Sequence, residues 1–410
     1  MILTENKDRI MVVAGACLFQ IALLGLLYQA QSSLYAEIRA EYGFPMSRIS
    51  SFNVVRTLCG ALLSGICAYA FFHFSKPLTM AACLILVSLS YAMMSIRPDT
   101  WVWFLCPVIM SWIGPISVFP IPYVMKSWFP GKNGFLTGLV MSCSGLGGMV
   151  FTPVITRMME ILGWRAATCI TGGVMVLTGC LGIYLMFRRP APQENGTVSP
   201  AGIRVDDAPS AQKERFQLQP FLICLAAIFG ACAGVQFINY LNMYGQSFGY
   251  TLMQGAFAIS FVSIGNISGK LLYGLFCDKL GTWWATAINN FCVLVGLLLL
   301  VTGIRVYPLF LVGALLLGFA NSLCSIAIAR CSIAAYGEKR SERYVGYLTG
   351  ITCAVSAGAH LLFGHVYDST GHFEPVLIAG TVLVAVSVIC SAAQTKSKNI
   401  VEGEINTSDR

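Results

Sequence analysis

Charge is what this chain has least of. Of its 410 residues only 11% are Asp, Glu, Lys or Arg, and 56% are hydrophobic; soluble domains carry about 25% charged residues. So little polar surface cannot wrap a globule of this length in water, which makes the bilayer its natural solvent. Metal-ligand spacing is also missing. Sixteen cysteines are present, but no Cys-x-x-Cys occurs, and Cys17, Cys67, Cys232 and Cys390 sit inside apolar runs, where a thiol behaves as a small hydrophobe. Neither a disulfide framework nor a metal or other cofactor is expected. No cleavable signal is evident, since the first apolar run, 10–35, exceeds the roughly 7–15 residues of a signal core. Catalytic signatures such as His-Glu-x-x-His and Gly-x-Ser-x-Gly do not occur. Gly265-Asn-Ile-Ser-Gly269-Lys270 has the wrong spacing for a phosphate loop and lies inside an apolar run. No enzyme activity is expected. The net charge of +8 does not point to nucleic acid, because the basic residues fall mostly in short gaps between apolar runs.

What the chain has is long apolar runs. A helix needs about 20 apolar residues to cross the hydrocarbon. Twelve segments qualify, near 10–36, 48–72, 77–96, 101–125, 133–158, 165–187, 219–245, 253–277, 283–304, 308–335, 344–367 and 374–393. They are too long and continuous for barrel strands. The predicted class is an all-α, multi-pass membrane protein. With the N-terminus inside, the outer segments hold only Arg39, Arg48, Arg97, Arg157, Arg165 and Arg305; apart from three cations within runs, every other Lys and Arg falls inside. The positive-inside rule then puts both termini in the cytoplasm of a cell bounded by its plasma membrane.

The halves echo each other. Ser51-Phe52, Gly60, Leu62-Leu63 and Gly65 recur 209 residues later as Ser260-Phe261, Gly269, Leu271-Leu272 and Gly274. Gly134-Phe-Leu-Thr-Gly138 recurs 212 residues later as Gly346-Tyr-Leu-Thr-Gly350. Two matches at nearly one offset predict a duplicated six-helix unit: one bundle over 1–187, a polar linker over 188–218, and a second bundle over 219–394. A disordered tail is expected over 395–410. Duplicated units of this kind hold their site near the midplane and rock to expose it alternately.

Between the eighth and ninth runs stands Gly274-Leu-Phe-Cys-Asp278-Lys279-Leu-Gly281, with glycines that permit a tight turn and close helix approach. It resembles the loop signature of the major facilitator superfamily. At the equivalent place after the second run, Tyr69 stands where the Asp would be. Trp128-Phe129-Pro130-Gly-Lys132-Asn-Gly134, Gly163-Trp164-Arg165, Tyr367-Asp368-Ser-Thr-Gly371, Leu34-Tyr35-Ala36 and Tyr244-Gly-Gln-Ser247-Phe-Gly249 are similar to the oxalate/formate antiporter and monocarboxylate porter branch. The resemblance covers all twelve runs. It implies the major facilitator fold and transport of a small carboxylate by a monomer in the lipid bilayer.

The intramembrane charges carry the chemistry. Arg56 and Lys270 lie near mid-run and Arg330 toward the inner end of the tenth run, while no run has an Asp or Glu near its centre. A cation at a helix centre costs ~2.5–3.5 kcal/mol on insertion scales, so something else must offset it. A mobile organic anion is the sharp reading; snorkelling or bonds to helix carbonyls are the bland ones. The resembled branch has an arginine eight residues before the loop Asp, as a carboxylate ligand. Lys270 holds that place here and keeps the charge without the planar fork. Its oxalate carriers also have a lysine in the eleventh helix; Thr352 stands there, so their two-cation clamp is absent and Arg56 is the candidate second charge. Tyr28, Gln31, Asn239 and Tyr240, on the polar first and seventh runs, are further candidate contacts. His360 is a candidate for proton coupling. Pro107, Pro115, Pro120 and Pro122 predict a kinked fourth helix. The expected function is therefore secondary transport of a mono- or dicarboxylate. The rivals are export of drugs or phosphate esters within the same fold, and a membrane sensor that binds a ligand without moving it.

Overall fold

A computed structural model describes residues 2–28, 31–98, 101–118, 120–129, 133–189 and 218–408; the linker expected over 188–218 lies almost wholly outside them. Among the described residues, twelve helices are long and apolar enough to cross a membrane. They are α1 (Lys7–Tyr42), α2 (Met46–Phe71), α3 (Lys76–Met94), α4 (Val102–Trp128), α5 (Leu136–Leu162), α6 (Trp164–Phe187), α7 (Leu218–Ser247), α8 (Leu252–Leu280), α9 (Thr282–Thr302), α10 (Tyr307–Tyr336), α11 (Tyr344–Thr370) and α12 (Glu374–Gln394). Each overlays one predicted run. Chain parity puts the ends of α1, α7 and α11 and the starts of α2, α8 and α12 on one membrane face, here called the far face; the termini share the other.

Among the described residues four helices are interrupted, and they form two repeat-related pairs. In α1 the segment Ile21–Tyr28 winds as a π-helix, and in α7 Gln236–Tyr240 winds as a 3-10 helix. In α4 the helix is interrupted at Ser111 and Trp112, between Val102–Met110 and a segment that starts at Ile113, where Pro115 withdraws an N–H donor from the ladder. Its partner α10 carries a π segment at Leu323–Ala327. Interruptions at matching positions of two halves mark where backbone and side chains line a site.

Helix contacts also follow the repeat. A Cβ on Gly60 of α2 would lie 3.3 Å from the Ser111 carbonyl of α4, and one on Gly269 of α8 would lie 3.0 Å from Phe319 of α10. The matched Gly65 and Gly274 both face open space. The close approach expected at Gly274 is therefore made at Gly269, one turn and a residue earlier. Gly281 does make the expected turn, with φ 85°.

The compact units do not coincide with the two expected bundles. One comprises Met1–Tyr28, Leu58–Gly148 and Met158–Gln217; the other comprises Gln29–Thr57, Met149–Arg157 and Leu218–Arg410. In the first, Gly15 lies against Gly182 of α6 and Gly25 against Gly147 of α5, where small residues let backbones meet. Gln20 Nε2 donates to the Ser117 carbonyl at 2.8 Å, tying α1 to α4. In the second unit Gly265 of α8 packs so closely on α10 that a Cβ would strike the Leu315 carbonyl. Asn290 Nδ2 there donates to the Ala227 carbonyl at 2.8 Å. The boundary cuts α1, α2 and α5 because their far-face portions pack on α7, α8 and α11, a tertiary fact that chain order cannot express. Beyond α12 the described helix runs on to Ser408; 395–408 has no proline and a single glycine, so nothing in it forces a stop.

Candidate functional site

The second unit gathers polar side chains that apolar helices would otherwise exclude. Its α1 segment Gln31–Tyr42 buries Gln31, Ser32, Ser33 and Tyr35. Asn242 of α7 donates from its backbone N–H to Ser32 Oγ at 3.2 Å and from Nδ2 to Ser33 Oγ at 3.0 Å. Thr156 of α5 donates to the same Ser33 Oγ at 3.0 Å. Tyr35 OH donates to Asn53 Oδ1 of α2 at 3.0 Å. These bonds hold the far-face parts of α1, α2, α5 and α7 in one register.

Around this frame stands a cationic cluster. Arg56 is 7% exposed, and its Nη1 donates to Gln31 Oε1. Asn53 lies three residues back, hence one turn away on the same face of α2. Tyr240 OH of α7 donates to Ser50 Oγ at 3.1 Å and meets His360 Nδ1 of α11 at 2.9 Å. The guanidinium of Arg56 is within charge–charge range of both Tyr240 and His360. Among the described residues, three buried nitrogens beside it have no hydrogen-bond partner: Gln31 Nε2, Asn53 Nδ2 and His360 Nε2. Two are amide donors. The third takes whichever role Nδ1 does not. A buried polar atom left without a partner costs about 1–3 kcal/mol, so the cluster gains most from a guest that accepts hydrogen bonds and carries negative charge.

Lys270 sits half-buried in mid-α8 and makes no hydrogen bond or ion pair among the described residues. Leu271 and Leu275 of the same helix are 50% and 54% exposed. Leu275 is five residues on, about 140° around the axis, so Lys270 points away from that outward apolar face. Asn266, one turn earlier, is buried with Oδ1 unpartnered.

Of the residues singled out from sequence, the fold brings together Arg56, Gln31, Tyr240 and His360. Asn239 is buried but returns its Nδ2 to the Gln236 carbonyl of its own helix at 3.4 Å. The side chain of Tyr28 lies outside the described residues. Arg330 stands apart, 50% exposed, with Nη2 4.0 Å from Asp278 Oδ1 of the loop motif. Lys279 ends α8 beside that pair. Sequence reasoning missed Ser50 and Asn53. The signal was present, as both lie on α2 within two turns of Arg56, but serine and asparagine in a helix attract no notice until a cation shares their face.

Residues 17–360 match the family model of the Major Facilitator Superfamily. Among curated proteins, the chain is 26% identical over 171 residues to an uncharacterized MFS-type transporter of Escherichia coli, covering 42% of each. It is 22% identical over 289 residues to monocarboxylate transporter 12 of Xenopus laevis, covering 66% of this chain and 62% of that one. It is 27% identical over 157 residues to the oxalate:formate antiporter of Oxalobacter formigenes, covering 38% and 36%. In each case the chain spans less than two thirds of the relative. The fold is similar to that of a bacterial homologue of the human lysosomal transporter Spinster, solved inward-facing and unoccupied. The TM-score is 0.67 at 13% identity, over 95% of this chain and 97% of that one.

Proposed function

We propose, from the premise that this chain belongs to the Major Facilitator Superfamily, that it moves a small mono- or dicarboxylate across the plasma membrane by alternating access. The observation that carries this reading is the set of unspent donors at buried cationic positions. Among the described residues Lys270 makes no hydrogen bond or ion pair, and Gln31 Nε2 and Asn53 Nδ2, near Arg56, have no hydrogen-bond partner. An anion supplies the acceptors that these amide donors lack and a counter-charge for Lys270 together. Lys270 takes the carboxylate as a point charge, and Arg56, through a fork already oriented by Gln31, holds a second acceptor. Tyr240 and His360 fix the wall around them, and the His360–Tyr240 pair is the candidate proton-coupling element.

In this reading the halves 1–187 and 219–394 rock about the site, with both termini in the cytoplasm as the Lys and Arg distribution favours. Binding offsets the cost of holding the Lys270 charge inside the membrane-spanning region. It drives the cycle only as far as it favours one state over another. Relatives named for oxalate, formate and monocarboxylates support the substrate class.

The test is uptake of radiolabelled formate, lactate, pyruvate and oxalate into proteoliposomes. Saturable uptake of at least one is expected, competed by short carboxylates rather than by phosphates or lipophilic cations. Flux of drugs or phosphate esters in place of carboxylates would move the assignment to the exporter reading, and binding without flux to the sensor.

A further inference from the structure

The start of α2 has no cap of its own. Helix N-termini leave their first N–H groups without intrahelical partners, and the residue before Met46 is Pro45, whose side chain offers no acceptor. The donors go instead to α11. Met46 N donates to Asp368 Oδ1 at 2.7 Å and Ser47 N to Asp368 Oδ2 at 2.8 Å. A carboxylate taking two backbone N–H groups at a helix N-terminus gains both charge-assisted hydrogen bonds and the helix dipole.

Asp368 is one of three residues in register on α11. Gly364, four residues earlier, lies so close to α2 that a Cβ there would sit 2.5 Å from Ser50 Oγ and 2.7 Å from Ser47 Cα. His360, four earlier again, meets Tyr240, whose hydroxyl donates to that same Ser50. Spacings of four place all three on one face. Arg39 of α1 adds a brace: its guanidinium lies 4.7 Å from the Tyr367 ring, its Nη1 is 3.4 Å from the Tyr367 hydroxyl, and its charge acts on Asp368. A cavity of about 370 Å³, lined by Arg39, Phe44, Met243, Gln246, Ser247 and Tyr367, opens over this junction.

We infer that Asp368 and Gly364 form a far-face latch, joining α11 of the second repeat to α2 of the first, and that His360 ties it to the substrate site. The inference rests on the alternating-access part of the reading above and not on its cargo. Opening the far face must pull α11 from α2, and that uncaps Met46 and Ser47 and leaves the Asp368 carboxylate, already at the exposed end of α11, without its two backbone donors. Ser50 is shared by the latch and the site network. A guest that shifts Arg56, Tyr240 or His360 therefore acts directly on the α2–α11 seam.

Hydrogen exchange of the full chain in lipid nanodiscs, without substrate, tests this. Asp368→Ala is expected to speed exchange about tenfold at the start of α2, the scale of a lost cap. For a latch the increase extends to the far-face segments Gln31–Tyr42 of α1 and Leu241–Ser247 of α7. Asp368→Asn, which keeps one neutral acceptor, should give an intermediate increase over the same segments. Gly364→Val leaves the carboxylate in place and wedges the seam, and is expected to reproduce the extended pattern. An increase confined to the first turn of α2 in Asp368→Ala would make Asp368 a local cap and overturn the inference; so would wild-type exchange in Gly364→Val. If every carboxylate fails in the uptake assay while exchange spreads as described, the cargo is wrong and the latch stands.

Discussion

Helices α2 and α8 descend from the same repeat position, yet each has kept what the other lost. Helix α8 closes its own N-terminus with a capping box: Thr251 Oγ1 accepts from Gln254 N at 3.2 Å, and Thr251 N donates to Gln254 Oε1 at 2.9 Å. Helix α2 borrows Asp368 from α11. At its other end α8 carries Asp278, paired with Arg330, whereas α2 carries Tyr69, which stacks on His73 at 3.9 Å. Each has one mid-helix cation, a fork on α2 and a point charge on α8. Arg56 is held by Gln31; Lys270 is held by nothing described. The contrast teaches a division of labour. Helix α8 is locally self-sufficient and presents an unengaged charge, while α2 depends on its neighbours at both its cap and its cation, so its stability tracks the conformation of the unit.

The largest effect should come from the unengaged charge. Lys270→Ala is expected to abolish carboxylate uptake in proteoliposomes while the protein still inserts and purifies as a folded species. Transport at the wild-type rate in that variant would remove α8 from the mechanism. Next comes Arg56→Lys, which keeps the charge but loses the fork and its bond to Gln31. The expected result is a KM raised about tenfold, the scale of one lost charge-assisted hydrogen bond. An unchanged KM would mean that Arg56 only braces α1 against α2. A smaller effect is expected for Thr251→Ala, which removes a cap that α8 makes within itself. It should cost about 1 kcal/mol of stability, read as a lower melting temperature, with faster exchange confined to the first turn of α8. Spread of that effect to α1 or α7 would erase the distinction between the two caps. Smallest is Asp278→Asn. Its pair with Arg330 is long and exposed, so its loss should change stability by less than about 1 kcal/mol, and high salt should mask the difference in thermal melts.

The particular residues show why some of this was legible and some was not. Arg56 and Lys270 stand out in a sequence because a charge inside an apolar run is costly wherever the helix packs. His360 is conspicuous for the same reason. Ser50, Asn53 and Gly364 are cheap in any helix, so nothing in their identity announces a role. They acquire one only because α11 crosses α2 at that depth. Arg330 looked like a site residue by its position in a run, but its long side chain reaches back to Asp278 at the helix end. Asp368 drew attention as part of a motif, and its partners turned out to be two backbone N–H groups, which no side-chain pattern can name.

The amino-acid sequence by itself determined the solvent, the number of crossings and the duplicated plan, because hydrocarbon thickness and the cost of bare backbone polar groups constrain composition over about 20 residues at a time. It also determined which charges need a partner. Tertiary structure alone decided which partners they have. It assigned Gln31 to Arg56, Asp368 to the start of α2, and the far-face portions of α1, α2 and α5 to the second compact unit. Those choices depend on how helices cross, and hydrogen bonds between residues 25 to more than 300 positions apart leave no local pattern in the chain.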